Sequence, residues 1–160
     1  MTKNKLEHLF STSMHNQMQW GIKLHNNPLA HQNTPADYIM THKERAQDYF
    51  RVILVECKQV TCENGQGRLA FKRLKQLHDM LAFIKATPIF HEAYFCIAFY
   101  NDRWDKSDVY LVRAEKMFEL ITHRNKQSLN RTEAALIFKD DKIGFVGGEL
   151  QLLNRLSLSM

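Results

Sequence analysis

Apolar residues cluster unevenly along the chain, and their spacing separates strands from helices. Val52 to Val55 form an unbroken aliphatic run that ends in Glu56-Cys57-Lys58; a short, β-branched apolar run bounded by charge predicts a buried strand. Ala93 to Tyr100 predicts a second strand and Val109 to Val112 a third. Between the first two, after a loop at Gly65 and Gly67, Leu69, Leu74, Leu77, Met80, Leu81 and Ile84 recur near helical spacing. This predicts an amphipathic helix from Arg68 to Phe83, with Lys72, Arg73, Lys75 and Gln76 on its polar side. The order strand, helix, strand, strand predicts an α/β fold, a central mixed β-sheet flanked by helices, with chemistry at the strand ends.

Toward the termini the pattern is less regular. Leu6, Leu9, Phe10 and Met14 predict a helix near the start, followed by a turn at Asn26-Asn27-Pro28. Asn125 to Asn130 reads as a polar loop. Ala134 to Val146 holds two short apolar runs around Lys139-Asp140-Asp141-Lys142, a hairpin signal. Gly147-Gly148 then leads into a short amphipathic helix beginning at Glu149. No repeat or low-complexity linker interrupts the chain. Residues 1–160 are therefore read as a single domain, with its core at about 30–115 and a C-terminal hairpin and short helix at about 132–157.

Composition narrows the class. A chain of 160 residues supports a sizeable core, and no stretch approaches the length of a membrane span. The polar start Met1-Thr2-Lys3-Asn4-Lys5 is unlike a secretory signal, so an intracellular location is expected, cytoplasmic or nucleoid-associated, with a viral origin left open. Lys and Arg number 22 against 17 Asp and Glu, a net charge of +5 that suits a polyanionic partner. Cys57, Cys62 and Cys96 form no Cys-x-x-Cys pair, and two lie in apolar strands; reduced core thiols are expected. The histidines form no His-x-His or His-x-x-x-His pair, and His31, a short loop away from Asp37, is the one placed to reach a phosphate.

The chemistry concentrates at the end of the first strand. Residues i and i+2 of a strand share a face, so Glu56 and Lys58 stand side by side. A buried carboxylate is costly unless a cation neutralises it, and two cations are available, the Lys58 ammonium and a divalent metal. Asp37 lies 19 residues upstream, in Thr34-Pro35-Ala36-Asp37. The same residues also read as an ordinary surface ion pair with Asp37 starting a turn. Arg68, Lys72, Arg73 and Lys75 form either a phosphate-contacting patch or a solvated helix face.

With these motifs the chain resembles the PD-(D/E)xK nucleases, and among them the archaeal-type Holliday junction resolvases. The resemblance lies in Pro35-Ala36-Asp37, Val55-Glu56-Cys57-Lys58, and Arg73-Leu74-Lys75-Gln76 followed by Leu81-Ala82-Phe83. It continues through Glu92-Ala93-Tyr94 with Ile97-Ala98-Phe99, and Trp104. One residue is inserted relative to the family's Pro-Asp, and the segment from Asp37 to Glu56 is longer than in compact members.

The resemblance implies a restriction-endonuclease-like domain acting as a structure-selective endodeoxyribonuclease. Asp37 and Glu56 would bind Mg²⁺, with Mn²⁺ as a substitute, and the backbone carbonyl of Cys57 would be a third oxygen ligand. Lys58 would orient or deprotonate the attacking water or stabilise the transition state, and Gln76 would help to hold the site. Glu7 is the acid available to match a metal-binding glutamate on the family's first helix, and it reads equally well as an exposed helix residue. The expected substrate is DNA, in particular four-way junctions, cut by a homodimer because two symmetric nicks need two related active sites. Tyr94, Phe95, Phe99, Tyr100 and Trp104 are candidates for the dimer surface or, alternatively, for the core. Another DNA target, an RNA target, or a nucleic-acid-binding module without catalysis remain alternatives at this level.

Overall fold

The computed structural model describes residues 5–18, 20–25, 36–43, 51–62, 66–86, 91–123 and 127–157. The predicted strand at Val52 is the middle of a longer one, β3 (Arg51–Thr61), which follows β1 (Trp20–Lys23) and β2 (Tyr38–His42). A short strand β4 (Arg68–Ala70) and helix α2 (Leu77–Ala86) lead to β5 (His91–Asn101), which turns directly into β6 (Arg103–Arg113). After α3 (Ala114–His123) come β7 (Ser128–Asn130), α4 (Arg131–Ile137), β8 (Lys142–Ile143), β9 (Phe145–Val146), β10 (Glu149–Leu150) and α5 (Leu152–Ser157). The chain begins with α1 (Lys5–Gln17).

Among the described residues a central six-stranded sheet runs in the order β1-β2-β3-β5-β6-β8. β3 and β5 are parallel, joined through α2, and the other neighbours are antiparallel. This is an α/β fold with a mixed sheet flanked by helices on both faces. Ile53, Val55, Cys57, Tyr94 and Cys96 point to the layer of α1 and α5, where they meet Leu6, Phe10, Met14, Leu152 and Leu156. Leu54, Val60, Phe95, Ile97 and Phe99 point to the layer of α2, α3 and α4, with Met80, Met117, Ala134 and Phe138. Coverage on both faces explains why β3 and β5 are apolar runs rather than alternating ones. Each large side chain buried here contributes about 1.5–3 kcal/mol of transfer free energy.

Five expectations are corrected. The helix expected from Arg68 starts only at Leu77; Arg68–Ala70 is extended and pairs with β7, Leu69 opposite Leu129. Phe71–Arg73 makes a single 3-10 turn. Pairing buries Leu69 completely, and that tertiary gain outweighs local helix propensity, so Lys72, Arg73 and Lys75 do not form a helix face. Consequently the polar stretch to Asn130 is not all loop, since its last three residues are β7.

The hairpin expected around Lys139–Lys142 is instead α4, a 3-10 turn and β8, which joins β6. Asn130 and Glu133 explain the helix: the Asn130 side chain accepts from Glu133 N–H and the Glu133 side chain accepts in return from the Asn130 backbone, a reciprocal cap. The hairpin lies one step later, between β9 and β10. Its two-residue turn requires positive φ at both positions, and Gly147 and Gly148 adopt +62° and +81°. The terminal helix accordingly begins at Leu152 rather than Glu149. Finally, Tyr94, Phe95, Phe99 and Tyr100 are buried within the chain, so these four serve as core and not as a dimer surface, while Trp104 packs partly against the α1 layer and stays partly exposed. Among the described residues no helix is long and apolar enough to cross a membrane.

Candidate active site

The site forms where β2 stops and β3 continues. Tyr38 opposite Val55 is the last pair of their ladder, so among the described residues β3 has no antiparallel neighbour on that side from Glu56 onward. Asp37, one residue before β2, turns its side chain into the gap: the Cys57 N–H donates to Asp37 Oδ2 at 2.9 Å. The N–H and C=O of one strand residue face the same edge, so the Cys57 carbonyl opens into this fork as well. Glu56 and Lys58 share a face of β3, with Lys58 Nζ 3.3 Å from Glu56 Oε1 and side chains only 15% and 5% exposed for the lysine and glutamate.

Helix α1 closes one side. The Leu6 N–H donates to Gln59 Oε1 at 2.9 Å and the Tyr38 hydroxyl to the Glu7 carbonyl at 2.9 Å, fixing the helix across the ends of β2 and β3. Glu7 itself pairs with Lys23 of β1 at 3.1 Å. The expected Glu7 is thus brought to the flank of the site, close enough for its charge to raise the Asp37 carboxyl.

Electrostatically the carboxylates exceed their neutralising partners. Burial pushes the Glu56 carboxyl up, the charge of Asp37 adds to it, and Lys58 opposes both; the result is about 7. Burial likewise lifts Asp37, against the Cys57 N–H and the more distant Lys58 and Lys23, and with Glu7 the net direction is upward. Carboxylates whose ionised forms are disfavoured by burial and by a neighbouring carboxylate, Asp37 for Glu56 and Glu7 for Asp37, are relieved by a cation. Asp37, Glu56 and the Cys57 carbonyl supply hard oxygen donors of the kind Mg²⁺ takes. Among the described residues, no group of three or more His, Cys, Asp or Glu side chains is gathered as a ready-made metal cage. Glu56 is occupied by Lys58 and Asp37 by the Cys57 amide, so a bound cation would have to compete with these contacts.

The remaining candidates are dispersed. Gln76 sits just before α2, and its Oε1 is buried without a hydrogen-bond partner, an orphan acceptor of the kind that usually costs about 1–3 kcal/mol. Arg73 is bound to β3, its Nη2 donating to the Gln59 carbonyl at 3.1 Å. Arg68 turns instead to Ser128 and Glu133, at 2.8 and 3.4 Å. Lys72 and Lys75 are exposed. His31 lies outside the described residues. Lys23, Tyr38 and Gln59 escaped the sequence reading, although Tyr38 directly follows Asp37 and Gln59 directly follows Lys58; Lys23 carries no local signal. All three cysteines are free and buried.

No protein-family model matches the chain, and a search of curated proteins finds no match.

Proposed function

We propose that the chain is a Mg²⁺-dependent, structure-selective endodeoxyribonuclease, most specifically a Holliday junction resolvase working as a homodimer. The observation that carries this reading is the convergence of Asp37, Glu56 and Lys58 at the fork between β2 and β3, in the order and residue types that the nuclease resemblance requires. Mg²⁺ or Mn²⁺, when bound, supplies a Lewis acid and lowers the pKa of a coordinated water. Asp37, Glu56 and the Cys57 carbonyl hold the ion. Lys58, already beside Glu56, places positive charge where negative charge develops on the attacked phosphate and helps to orient the water. Gln76, whose buried Oε1 has no hydrogen-bond partner, is assigned a supporting role and not a contact with substrate.

A second reading has an observation of its own. Lys58 already contacts Glu56 and the Cys57 amide already contacts Asp37, so each carboxylate has one protein partner without a metal, as in a non-catalytic nucleic-acid-binding module. A gel assay on a labelled four-way junction beside linear duplex, with Mg²⁺ and with EDTA, separates the two. Paired, Mg²⁺-dependent nicks confined to the junction support the resolvase; cleavage of duplex as well points to another endonuclease of the same core. Junction binding without cleavage in Mg²⁺ or Mn²⁺ sinks the enzymatic assignment.

A further inference from the structure

We propose that the cavity between α1 and the β5–β6 hairpin, where Lys5 stands beside a wall formed by Trp104 and Phe145, receives an unpaired base of a DNA strand. The cavity measures about 460 Å³ and is lined by Lys5, His8, Leu9, Thr12, Trp104 and Phe145 among others. It is separate from the Asp37 fork. At 3.6 residues per turn, Lys5, His8, Leu9 and Thr12 fall on one face of α1 and Glu7 on the opposite one, so a single helix edges both features.

The chemistry selects the ligand. Trp104 is braced by Tyr100, ring centroids 4.7 Å apart, and Tyr100 is in turn anchored by Lys5, whose Nζ donates to its hydroxyl at 3.2 Å and lies 4.9 Å above its ring. An aromatic wall held in this way offers a flat, pre-ordered surface, and stacking on such a surface serves every base because each has a π-face. Leu9 and Phe145 complete an apolar interior, while the Thr12 hydroxyl donates to the His8 carbonyl at 3.1 Å; the ammonium of Lys5, which keeps donors beyond its bond to Tyr100, suits a phosphate. The described lining includes no carboxylate. A ligand that is flat and aromatic at one end and anionic at the other is a nucleotide. Bases inside a duplex are stacked on their neighbours, so the occupant is one released from pairing. That the strand is DNA rests on the proposed function; the pocket chemistry does not depend on cleavage.

The chain contains two tryptophans, so Trp20→Phe leaves Trp104 as the sole reporter. In EDTA, titrating the full chain with a short oligothymidylate should quench Trp104 emission saturably. Anisotropy of a labelled oligothymidylate should show Kd raised about tenfold by Trp104→Ala, the scale of one lost base stack, and several-fold by Lys5→Ala. Trp104→Phe should retain most of the affinity, since phenylalanine still stacks, and a thermal melt of each variant establishes that it is folded. Unquenched emission at saturating oligothymidylate overturns the proposal, as does wild-type affinity in folded Trp104→Ala. Quenching by thymidine monophosphate with none by the oligonucleotide overturns the assignment to a strand. Junction cleavage, measured separately with Mg²⁺, tells the two readings apart: quenching without cleavage supports the pocket and removes the nuclease, and cleavage without quenching removes the pocket alone.

Discussion

Two glutamates on neighbouring strands of one sheet are pushed in opposite directions by their surroundings. Glu92, near the start of β5, is held by Arg51 at 2.6 Å, by the Tyr94 hydroxyl at 2.9 Å and by Arg113 at 3.2 Å. Burial alone would raise its carboxyl, but those partners outweigh it and hold the group below its ordinary value. Glu56, farther along β3, has Lys58 on one side and a second carboxylate, Asp37, near it, and burial with that repulsion takes it to about 7. Where a carboxylate is wanted for the fold, the chain surrounds it with donors. The fork leaves its carboxylates short of positive charge, which costs stability and makes sense where a further cation is to be admitted.

The sharpest way to break this contrast is to remove one member of each group. Arg51 is 4% exposed, and taking away one partner of a buried pair leaves an uncompensated charge, so Arg51→Ala should destabilise the fold by about 3–5 kcal/mol in urea denaturation. Glu56→Gln removes a repelled charge and should leave stability unchanged or slightly higher, yet abolish junction cleavage while preserving junction binding. A large stability loss in Glu56→Gln would mean that the fork, too, is a structural clamp.

Lys58→Ala should lower turnover by about 10², roughly 2.7 kcal/mol of transition-state stabilisation, with little change in metal affinity. Lys58→Arg should not restore full activity, because the guanidinium differs in geometry and does not give up a proton. Single-turnover cleavage at saturating junction measures both; wild-type rates for Lys58→Ala would reduce the lysine to a partner of Glu56.

The two glutamates also give opposite pH dependences to stability in EDTA. A carboxyl lowered by folding, Glu92, contributes stability that is present above its unfolded pKa and is lost as pH falls through the folded one. A carboxyl raised by folding, Glu56, holds its proton more tightly in the folded state, so stability declines as pH rises from the ordinary glutamate range toward about 7. Urea midpoints across pH 4–8, in wild type and Glu56→Gln, should show that decline in the wild type and its reduction in the variant. Equal slopes would remove the electrostatic basis of the contrast.

The smallest expected effect concerns the basic segment before α2. Arg73 and Arg68 already make intramolecular hydrogen bonds, which leaves Lys72 and Lys75 as its exposed ammonium groups. Neutralising both should flatten the dependence of log K on log salt for DNA binding by up to about 0.9 per lost phosphate contact, without affecting cleavage at saturation. An unchanged slope would place the DNA elsewhere.

The contrast also marks what the sequence disclosed. Glu56 and Lys58 were legible because strand periodicity and an adjacent apolar run are local signals, and Asp37 because its spacing matches a motif. The paired strands β5 and β6 were legible as apolar runs for the same reason. The Arg51–Glu92 clamp was not, since its partners are 41 residues apart and meet only through the parallel register of β3 and β5. β1 escaped because an edge strand of four largely exposed residues has no apolar run to announce it. The start of α2 was misplaced because a strand, a turn and a helix in series bury leucines at much the same spacing as a single helix; only the pairing of Leu69 with Leu129 separates the cases.

Calorimetric titration of the metal-free chain with Mn²⁺ tests most directly whether the fork is a cation site. The account predicts saturable binding that Asp37→Asn and Glu56→Gln each abolish or weaken severely, that Glu92→Gln in folded form leaves unchanged, and that Lys58→Ala leaves nearly unchanged. No binding to the wild type, or binding that persists undiminished in Asp37→Asn, would contradict it.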